Sequence, residues 1–213
     1  MVVDTGPDFR QQMLRADVQH LEAVIMTHAH KDHVAGLDDV RAFNFKQGQD
    51  MPVYADLSVQ EALKREFYYI FEKDPYPGVP RVELKTIHLE PFDVQGLPVT
   101  PIEVMHYKLP VLGFRFGDFV YITDAKTISE QEKKKLSGCH TLVINALRKE
   151  PHISHLTLDE ALEWAEEFQA EHTYLTHISH LMGKHEEVSK ELPKGVSIAY
   201  DGQSFEIPVP QEY

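Results

Sequence analysis

Hydrophobic and polar positions along the chain follow the pattern of a mixed α/β protein. Apolar residues recur every three or four positions in some segments, which indicates helices, and run together in short stretches elsewhere, which indicates buried strands. We predict helices at residues 8–15, 34–45, 57–71, 129–136, 158–168 and 185–191. We predict strands at residues 23–26, 141–144 and 173–176, a strand-rich meander over residues 82–123, and two final strands around Ile198 and Phe205.

Two of the predicted helices have an apolar face that should point inward. In the helix at 34–45 this face is made of Val34, Leu37, Val40 and Phe43. In the helix at 57–71 it is made of Leu57, Leu63, Phe67 and Ile70. Strands mixed with surface helices in this order predict an α/β fold, an αββα sandwich with two sheets inside and helices outside. The length suits a single domain over residues 1–213.

Composition narrows the class of protein. Lys and Arg number 21 and Asp and Glu number 34, which gives a net charge of −13 with neutral histidine. This acidity disfavours broad binding to nucleic acid and gives no reason to expect a membrane partner. No apolar run is long enough to span a membrane, and no signal peptide is visible. The single cysteine, Cys139, cannot form an internal disulfide, which suits the cytoplasm; we expect it to be buried and inert.

The segment from Thr27 to His33 carries the densest group of potential metal ligands. Three imidazoles and one carboxylate fall within six positions, directly after the apolar residues 23–26; they are His28, His30, Asp32 and His33. A His-x-His pair at the end of a strand can point both rings the same way, and the next turn brings Asp32 and His33 back toward them. Imidazole and carboxylate without thiolate suit a divalent metal. The alternative is a solvated, histidine-rich loop.

Three further candidate ligands each follow an apolar strand. They are His106, Asp124 and His177. Taken singly, a histidine at a strand end is more often a surface or hydrogen-bonded residue, and an aspartate there is more often a turn or helix cap. Together they share one placement, the carboxyl ends of strands, where sites collect in α/β folds. The sequence therefore predicts that they supply the rest of a metal site.

These residues resemble the ligand signature of the metallo-β-lactamase superfamily. That signature is His-x-His-x-Asp-His followed by a distant His, Asp and His. The chain is most similar to PhnP-type phosphodiesterases, which open a cyclic phosphate on ribose. The similarity covers essentially the whole chain and includes residues 4–10, 122–124, 145–148 and 175–180.

The resemblance implies a site with two divalent ions, zinc or manganese, with iron as a further option. One ion would be held by His28, His30 and His106, and the other by Asp32, His33 and His177, with Asp124 between them. Asp4 matches an early aspartate that supports the metal loop from behind. Two such ions ionise a water at neutral pH and neutralise the charge that grows on a phosphate oxygen. We count Asp32 among the catalytic residues on this basis.

The leaving group of a phosphodiester also needs a proton. By the resemblance, His155 lies where related phosphodiesterases and tRNA 3′-processing nucleases keep a catalytic histidine, and we predict that it is the general acid or a phosphate contact. His152 is the nearby alternative. His180 is either a supporting residue behind the ligands or an exposed one. Arg148 is a candidate substrate contact, although a salt bridge is the commoner role for an arginine.

We therefore expect a metal-dependent hydrolase that acts on a small or cyclic phosphodiester. The alternatives are a tRNA 3′-processing nuclease, another hydrolase of the fold, or a metal-binding protein without turnover. Relatives usually carry several dozen residues before the segment Asp4-Thr5-Gly6, whereas this chain begins at Met1. We expect an unpaired sheet edge there, and a homodimer or poor solution behaviour as its result.

Overall fold

The computed structural model describes residues 1–207 and divides the chain into two compact units, Met1–His88 and Leu89–Tyr213. Within the described residues, each unit contains one β-sheet and its own helices. None of the described helices is long and apolar enough to cross a membrane.

The first unit is built on a four-stranded parallel sheet. Its strands lie in chain order and are β1 (Val2–Val3), β2 (Val24–Ile25), β3 (Met51–Ala55) and β4 (Val82–Thr86). Its helices are α1 (Phe9–Arg15), α2 (Lys31–Val34), α3 (Arg41–Gln47) and α4 (Leu57–Glu66), with short 3-10 turns at Leu37–Val40 and Tyr68–Ile70. The helices and the sheet enclose a core of buried side chains that includes Phe9, Val24, Leu37, Val53 and Leu63. Parallel strands buried in this way are typical of α/β proteins.

The second unit is built on an eight-stranded mixed sheet. Its strands are β5 (Phe92–Val94), β6 (Leu97–His106), β7 (Leu109–Phe116), β8 (Phe119–Tyr121), β9 (Thr127–Ile128), β10 (Thr141–Asn145), β11 (His172–Thr176) and β12 (Val196–Ile198). The order is β12-β11-β10-β8-β7-β6-β5, with β9 paired to β6. Strands β12, β11, β10 and β8 are parallel, and the others pair in an antiparallel manner. The helices are α5 (Glu130–Lys133), α6 (Leu158–Phe168) and α7 (His185–Val188).

Helix α6 is the best-defined helix of the second unit and matches its predicted bounds. Thr157 caps it: its hydroxyl accepts from the amide of Glu160, and the Glu160 carboxylate accepts from the amide of Thr157. This reciprocal capping box satisfies two amide groups that a helix start otherwise leaves without partners. The segment just before α6 carries His155, so the capping box fixes the chain two residues beyond that side chain.

The predicted elements agree with the structure in type but less well in length. The predicted helix at 34–45 is a 3-10 turn followed by α3, and strand β3, which has no counterpart in the prediction, was missed. Leu57 is exposed, because it is the first residue of α4, whereas Leu63, Phe67 and Ile70 are buried as predicted. The strand predicted around Phe205 is wrong. The Phe205 ring instead stacks on Tyr174 at 4.8 Å without strand pairing of its backbone.

Three residues that lie just beyond the ends of parallel strands have left-handed backbone conformations. The φ angles are 59° at Asp4, 54° at Asp124 and 54° at His177. Such angles are uncommon for residues other than glycine, and they cluster at functional sites, where surrounding structure holds them in place.

Candidate metal centre

The first group of candidate ligands lies in the loop that follows β2. We call this group the N-terminal cluster; its members are His28, His30, Asp32 and His33. His28 and His33 are buried, whereas His30 and Asp32 are exposed. The ring centroids of His28 and His33 are 4.2 Å apart, and those of His28 and His30 are 4.6 Å apart. The predicted convergence of these side chains is present within the first unit.

Asp4 holds the N-terminal cluster from behind. Its carboxylate accepts from the amide of Thr27 at 2.8 Å, from the hydroxyl of Thr27 at 2.7 Å and from Nδ1 of His33 at 2.7 Å. A proton on Nδ1 leaves the lone pair of His33 on Nε2, which is the form that binds a metal. These contacts agree with the supporting role that the family resemblance implies for Asp4.

Thr27 extends the same network to His28. Because the Thr27 hydroxyl donates to Asp4, its oxygen accepts from Nδ1 of His28, at 2.9 Å. The lone pair of His28 is then on Nε2, and that atom is 3.0 Å from Nδ1 of His30. Two ring nitrogens this close need a proton or a cation between them. Neighbouring ligands of a tetrahedral ion with bonds of about 2.0 Å are about 3.3 Å apart, so the pair fits one metal ion.

Two glycines let the chain after β1 pack directly against this loop. A Cβ atom on Gly6 would lie 2.8 Å from the carbonyl oxygen of Asp32, and one on Gly36 would lie 2.3 Å from the carbonyl oxygen of Gly6. The amide of Thr5 donates to the carbonyl of His33 at 2.7 Å. Backbone contacts from Thr5 and Gly6 therefore hold the segment that carries Asp32 and His33 in place.

The second group of candidate ligands lies at the carboxyl ends of strands in the second unit. We call this group the C-terminal cluster; its members are His106, Asp124, His155 and His177. His106 ends β6, Asp124 follows β8 and His177 follows β11. His106, Asp124 and His155 each offer one donor atom, and these atoms all lie within 4.8 Å of one another. The structure therefore brings together residues that are up to 71 positions apart in the sequence (177 − 106 = 71).

Short polar contacts orient three members of the C-terminal cluster. Oδ1 of the buried Asp124 carboxylate is 3.0 Å from Nε2 of His177 and accepts from the Thr123 hydroxyl at 2.8 Å. Nδ1 of His106 is 2.9 Å from the carbonyl oxygen of Ser154, to which it donates. That hydrogen bond leaves the lone pair of His106 on Nε2, as a metal ligand requires.

His155 is the buried centre of the C-terminal cluster. Its ring stacks on His177 with centroids 4.8 Å apart and meets His106 edge-on at 4.4 Å. Its Nδ1 is buried and has no hydrogen-bond partner among the described residues. Burial lowers the pKa of His155 to about 4, the carboxylate of Asp124 opposes this, and the neighbouring imidazoles add to it. A buried polar atom without a partner is costly, which indicates a site that binds a ligand there.

The remaining predicted residues take different positions. His152 is half-buried, with its ring centroid 5.0 Å from that of His155, and its Nδ1 accepts from the amide of Ser154. His180 is exposed. The guanidinium of Arg148 donates to the carbonyls of Glu150 and Pro151, so it serves its own loop. Cys139 is buried, as predicted, and burial raises the pKa of its thiol.

Several residues that position the clusters have no role in the prediction from sequence. Thr27 and Thr123 each donate a hydroxyl to an aspartate, and Asn145 bridges the end of β10 to the amide and carbonyl of Ala125. Threonine and asparagine are too common in turns for such roles to be assigned from sequence alone. Only the threonines carry a signal, because each directly precedes a candidate ligand.

Comparison with known proteins decides the family. The model of the β-lactamase superfamily domain matches residues 1–178. The chain belongs to the β-lactamase superfamily. It is also similar to the crystal structure of a new diphosphatase from the PhnP family, with a TM-score of 0.90 and 38% identity over 98% of this chain and 80% of that one. The predicted α/β fold of the metallo-β-lactamase type and the predicted resemblance to the PhnP family are both confirmed.

More distant structures share the fold. They include YhfI from Bacillus subtilis, a metallo-β-lactamase fold protein, with a TM-score of 0.77 and 21% identity over 95% of this chain and 85% of that one. Zn²⁺-bound PqqB from Methylobacterium extorquens has a TM-score of 0.75 and 19% identity over 97% of this chain and 83% of that one. Membership of this superfamily supports hydrolase activity, and its proteins typically bind divalent metals.

One curated relative is much longer. The octanoyltransferase of Porphyromonas gingivalis (strain ATCC BAA-308 / W83) is 38% identical over 204 residues, which cover 95% of this chain and 41% of the relative. The chain thus spans about two fifths of that protein.

Proposed function

We propose that the chain is a metal-dependent phosphodiesterase that hydrolyses small or cyclic phosphodiesters. The observation that carries this proposal is the C-terminal cluster, in which His155 is buried against His106 and His177 with an unpartnered Nδ1. An imidazole held beside a ligand set can contact a phosphate oxygen or give a proton to a leaving alkoxide. Because the pKa of His155 is about 4 in the metal-free protein, proton donation near pH 7 requires that the bound phosphate anion raise this pKa.

We assign the metal ligands to both clusters together. One ion would be held by His28, His30 and His106. The other ion would be held by Asp32, His33 and His177. Asp124 would be a ligand of both ions. Imidazole and carboxylate donors of this kind suit zinc, manganese or iron. When bound, such ions supply Lewis acidity, which ionises water at neutral pH and offsets charge on a phosphate oxygen. Asp4 and Thr27 would keep the lone pairs of His33 and His28 on Nε2.

The charges around the clusters favour a substrate with a single negative charge. Four basic side chains lie close to the ligands in sequence. Lys31 pairs with Glu66, Lys126 pairs with Glu160 and Arg148 binds carbonyls, while Lys108 lies over the ring of Tyr107. The net charge of −13 also repels a polyanion. A phosphodiester carries one charge, whereas a diphosphate and a tRNA carry more.

The first experiment is a substrate panel. The protein is loaded with zinc or manganese and assayed with bis-p-nitrophenyl phosphate, a cyclic ribose phosphate, a nucleoside diphosphate, a precursor tRNA and an octanoyl thioester. We expect kcat/KM for the diesters to exceed that for every other substrate by at least about tenfold. No turnover of either diester with any divalent metal would contradict the proposal.

A diphosphatase is the second candidate, because the PhnP-family structure with 38% identity is named as one. The leaving group separates the two reactions. A phosphate can leave without being protonated, whereas an alkoxide needs a proton in order to leave. Faster turnover of the nucleoside diphosphate than of the diesters would establish this candidate. Octanoyl transfer is not proposed, because this chain matches only 41% of the length of the relative with that name.

The role of His155 has its own test. We expect His155→Ala to lower kcat by about 10²-fold or more for an alkyl diester. The effect should be much smaller for p-nitrophenyl esters, whose leaving group needs no proton. The matched control is His152→Ala, on the same loop and half-buried, which should lose little with either substrate. Equal losses with both esters would assign His155 to phosphate or metal binding rather than to proton donation.

A further inference from the structure

A separate group of potential ligands lies at the opposite end of the eight-stranded sheet from the C-terminal cluster. His140 directly precedes β10, and His172 is the first residue of β11; the two strands are parallel neighbours, with Thr141 opposite His172. Glu171 directly precedes β11. The length of β11 separates this group from His177, which is roughly 16 Å at about 3.3 Å per residue. None of the three residues belongs to the proposed catalytic centre.

The donor atoms of this group converge. Nε2 of His140 is 3.5 Å from Oε2 of Glu171, and Nε2 of His172 is 3.7 Å from Oε1 of the same carboxylate. The two imidazole rings meet edge-on, with centroids 5.2 Å apart. One donor atom from each of the three residues lies within 4.8 Å of the other two. His140 is half-buried, while Glu171 and His172 are exposed, so the last two can rotate toward a common point.

The backbone fixes the spacing of the two histidines. The amide of His172 donates to the carbonyl of His140 at 3.0 Å, as part of the pairing between β10 and β11. Nδ1 of His140 is 2.9 Å from the hydroxyl of Thr141. When that hydroxyl accepts from Nδ1, the lone pair of His140 lies on Nε2, the atom nearest Glu171. A hydrogen bond at the other ring nitrogen is what orients a histidine for a metal.

We propose that His140, Glu171 and His172 bind one zinc ion, with water completing its coordination. Two imidazoles and one carboxylate form a ligand set that zinc takes with a fourth position left to water. Neighbouring ligands of such an ion are about 3.3 Å apart, close to the two nitrogen–oxygen separations observed. The ion would tie the starts of β10 and β11 together, and it would stabilise the second unit by binding only the folded state.

The test counts zinc atoms per chain. Wild type, His172→Ala and Glu171→Gln are equilibrated in the same zinc buffer, and bound zinc is measured by mass spectrometry. We expect wild type to hold one zinc per chain more than either variant, with hydrolysis of the diester substrate unchanged. Glu171→Gln preserves the size of the side chain, so it keeps the test valid should His172→Ala unfold.

His20→Ala is the matched control. His20 is exposed with its Nε2 2.7 Å from Glu22, but no second imidazole is part of that pair. This variant should keep the full zinc content. Ring nitrogen signals of His140 and His172 in nuclear magnetic resonance should also shift as the additional zinc is added. Equal zinc contents in wild type and both variants, an equal loss in His20→Ala, or unmoved ring signals would overturn the proposal.

Discussion

The N-terminal and C-terminal clusters hold the same kinds of side chain by different means. The N-terminal cluster is one loop of six residues whose rings are oriented by a chain of hydrogen bonds from Asp4 through Thr27. The C-terminal cluster draws on separate strand ends, and its orientation depends on the register of the sheet and on left-handed backbone at Asp124 and His177. Local hydrogen bonding organises the first cluster, and the tertiary fold organises the second.

This difference determines which substitutions should damage which cluster. A hydrogen-bonded loop loses geometry when one supporting side chain is removed, while its ligands stay close in sequence and in space. Ligands on separate strands keep their positions as long as the sheet is intact, but each of them is irreplaceable. We therefore expect ligand removal to be most harmful in the C-terminal cluster and removal of support to be most harmful in the N-terminal cluster.

The largest effect should come from Asp124→Asn. The change removes a buried carboxylate that contacts His177, but asparagine tolerates the left-handed backbone. We expect kcat/KM for the diester to fall by at least about 10³-fold, with a loss of bound metal, because in the proposed assignment Asp124 is the anionic ligand that both ions would share. The control is Asp74→Asn, an exposed aspartate in the 74–80 loop. An Asp124→Asn variant with full metal content and a loss under tenfold would remove Asp124 from the ligand set.

A smaller effect is expected from Asp4→Ala in the N-terminal cluster. It removes the acceptor of His33 and both bonds from Thr27, so metal affinity should fall by about 10- to 100-fold. Metal affinity is measured by competition with a chelating dye. Asp4→Asn is the matched variant. It retains a hydrogen-bond acceptor and tolerates the left-handed φ of 59°, so comparison with alanine isolates the effect of the lost hydrogen bonds. If alanine and asparagine weakened binding equally, the hydrogen bonds would not be what orients the cluster.

The pH dependence of stability should distinguish the C-terminal cluster. In the metal-free protein the pKa of His155 is about 4, below its ordinary value of 6.5, because of burial. Between these values the unfolded chain binds more protons than the folded one, so stability falls as the pH drops from 6.5 toward 4. In denaturant unfolding, the free energy of unfolding of His155→Gln relative to that of wild type should increase by roughly 2 kcal/mol as the pH is lowered from 7 to 4.5. Parallel curves for both proteins would contradict the assigned burial.

The smallest effects should come from the helix caps, one in each unit. Thr157→Ala removes the capping box of α6, and Asp56→Ala removes the side-chain cap of α4, where Asp56 accepts from the amide of Val59. Each should cost about 1 kcal/mol of unfolding free energy. Chemical denaturation measures both. If both variants shift the midpoint of one common transition, the two units unfold together. If two transitions are seen, each variant should shift only the transition of its own unit.

The convergence of side chains in the N-terminal cluster could be predicted from the sequence because its members are nearly contiguous. Their convergence needs only a strand end and one turn, both of which are local. The members of the C-terminal cluster could be selected only through the shared strand-end placement and the family resemblance, since nothing local distinguishes His106 or His177 from ordinary histidines. The role of Ser154 could not be predicted, because a carbonyl contact to a histidine leaves no pattern in sequence. For Thr27 the sequence offers only its position directly before His28.

The same distinction explains the fold. Helix α6 was predicted in full because its apolar spacing and its capping box agree. Strand β3 was missed because Pro52 interrupts its apolar alternation, although Met51, Val53 and Ala55 are buried. The strand expected at Phe205 reflected a hydrophobic residue that packs through its ring alone. Periodicity identifies elements that are stabilised locally and fails where burial comes from distant partners.

The left-handed residues have a consequence for any saturation mutagenesis of this protein. At Asp4, Asp124 and His177, β-branched and bulky residues would be lost from a selected library because of the backbone alone, whatever the chemistry of the side chain. Intolerance at these positions would therefore overstate their catalytic importance. Asparagine and glycine tolerate the left-handed backbone but do not supply the native metal ligand. Comparing their enrichment in the library with that of alanine would therefore separate the backbone requirement from the requirement for metal binding.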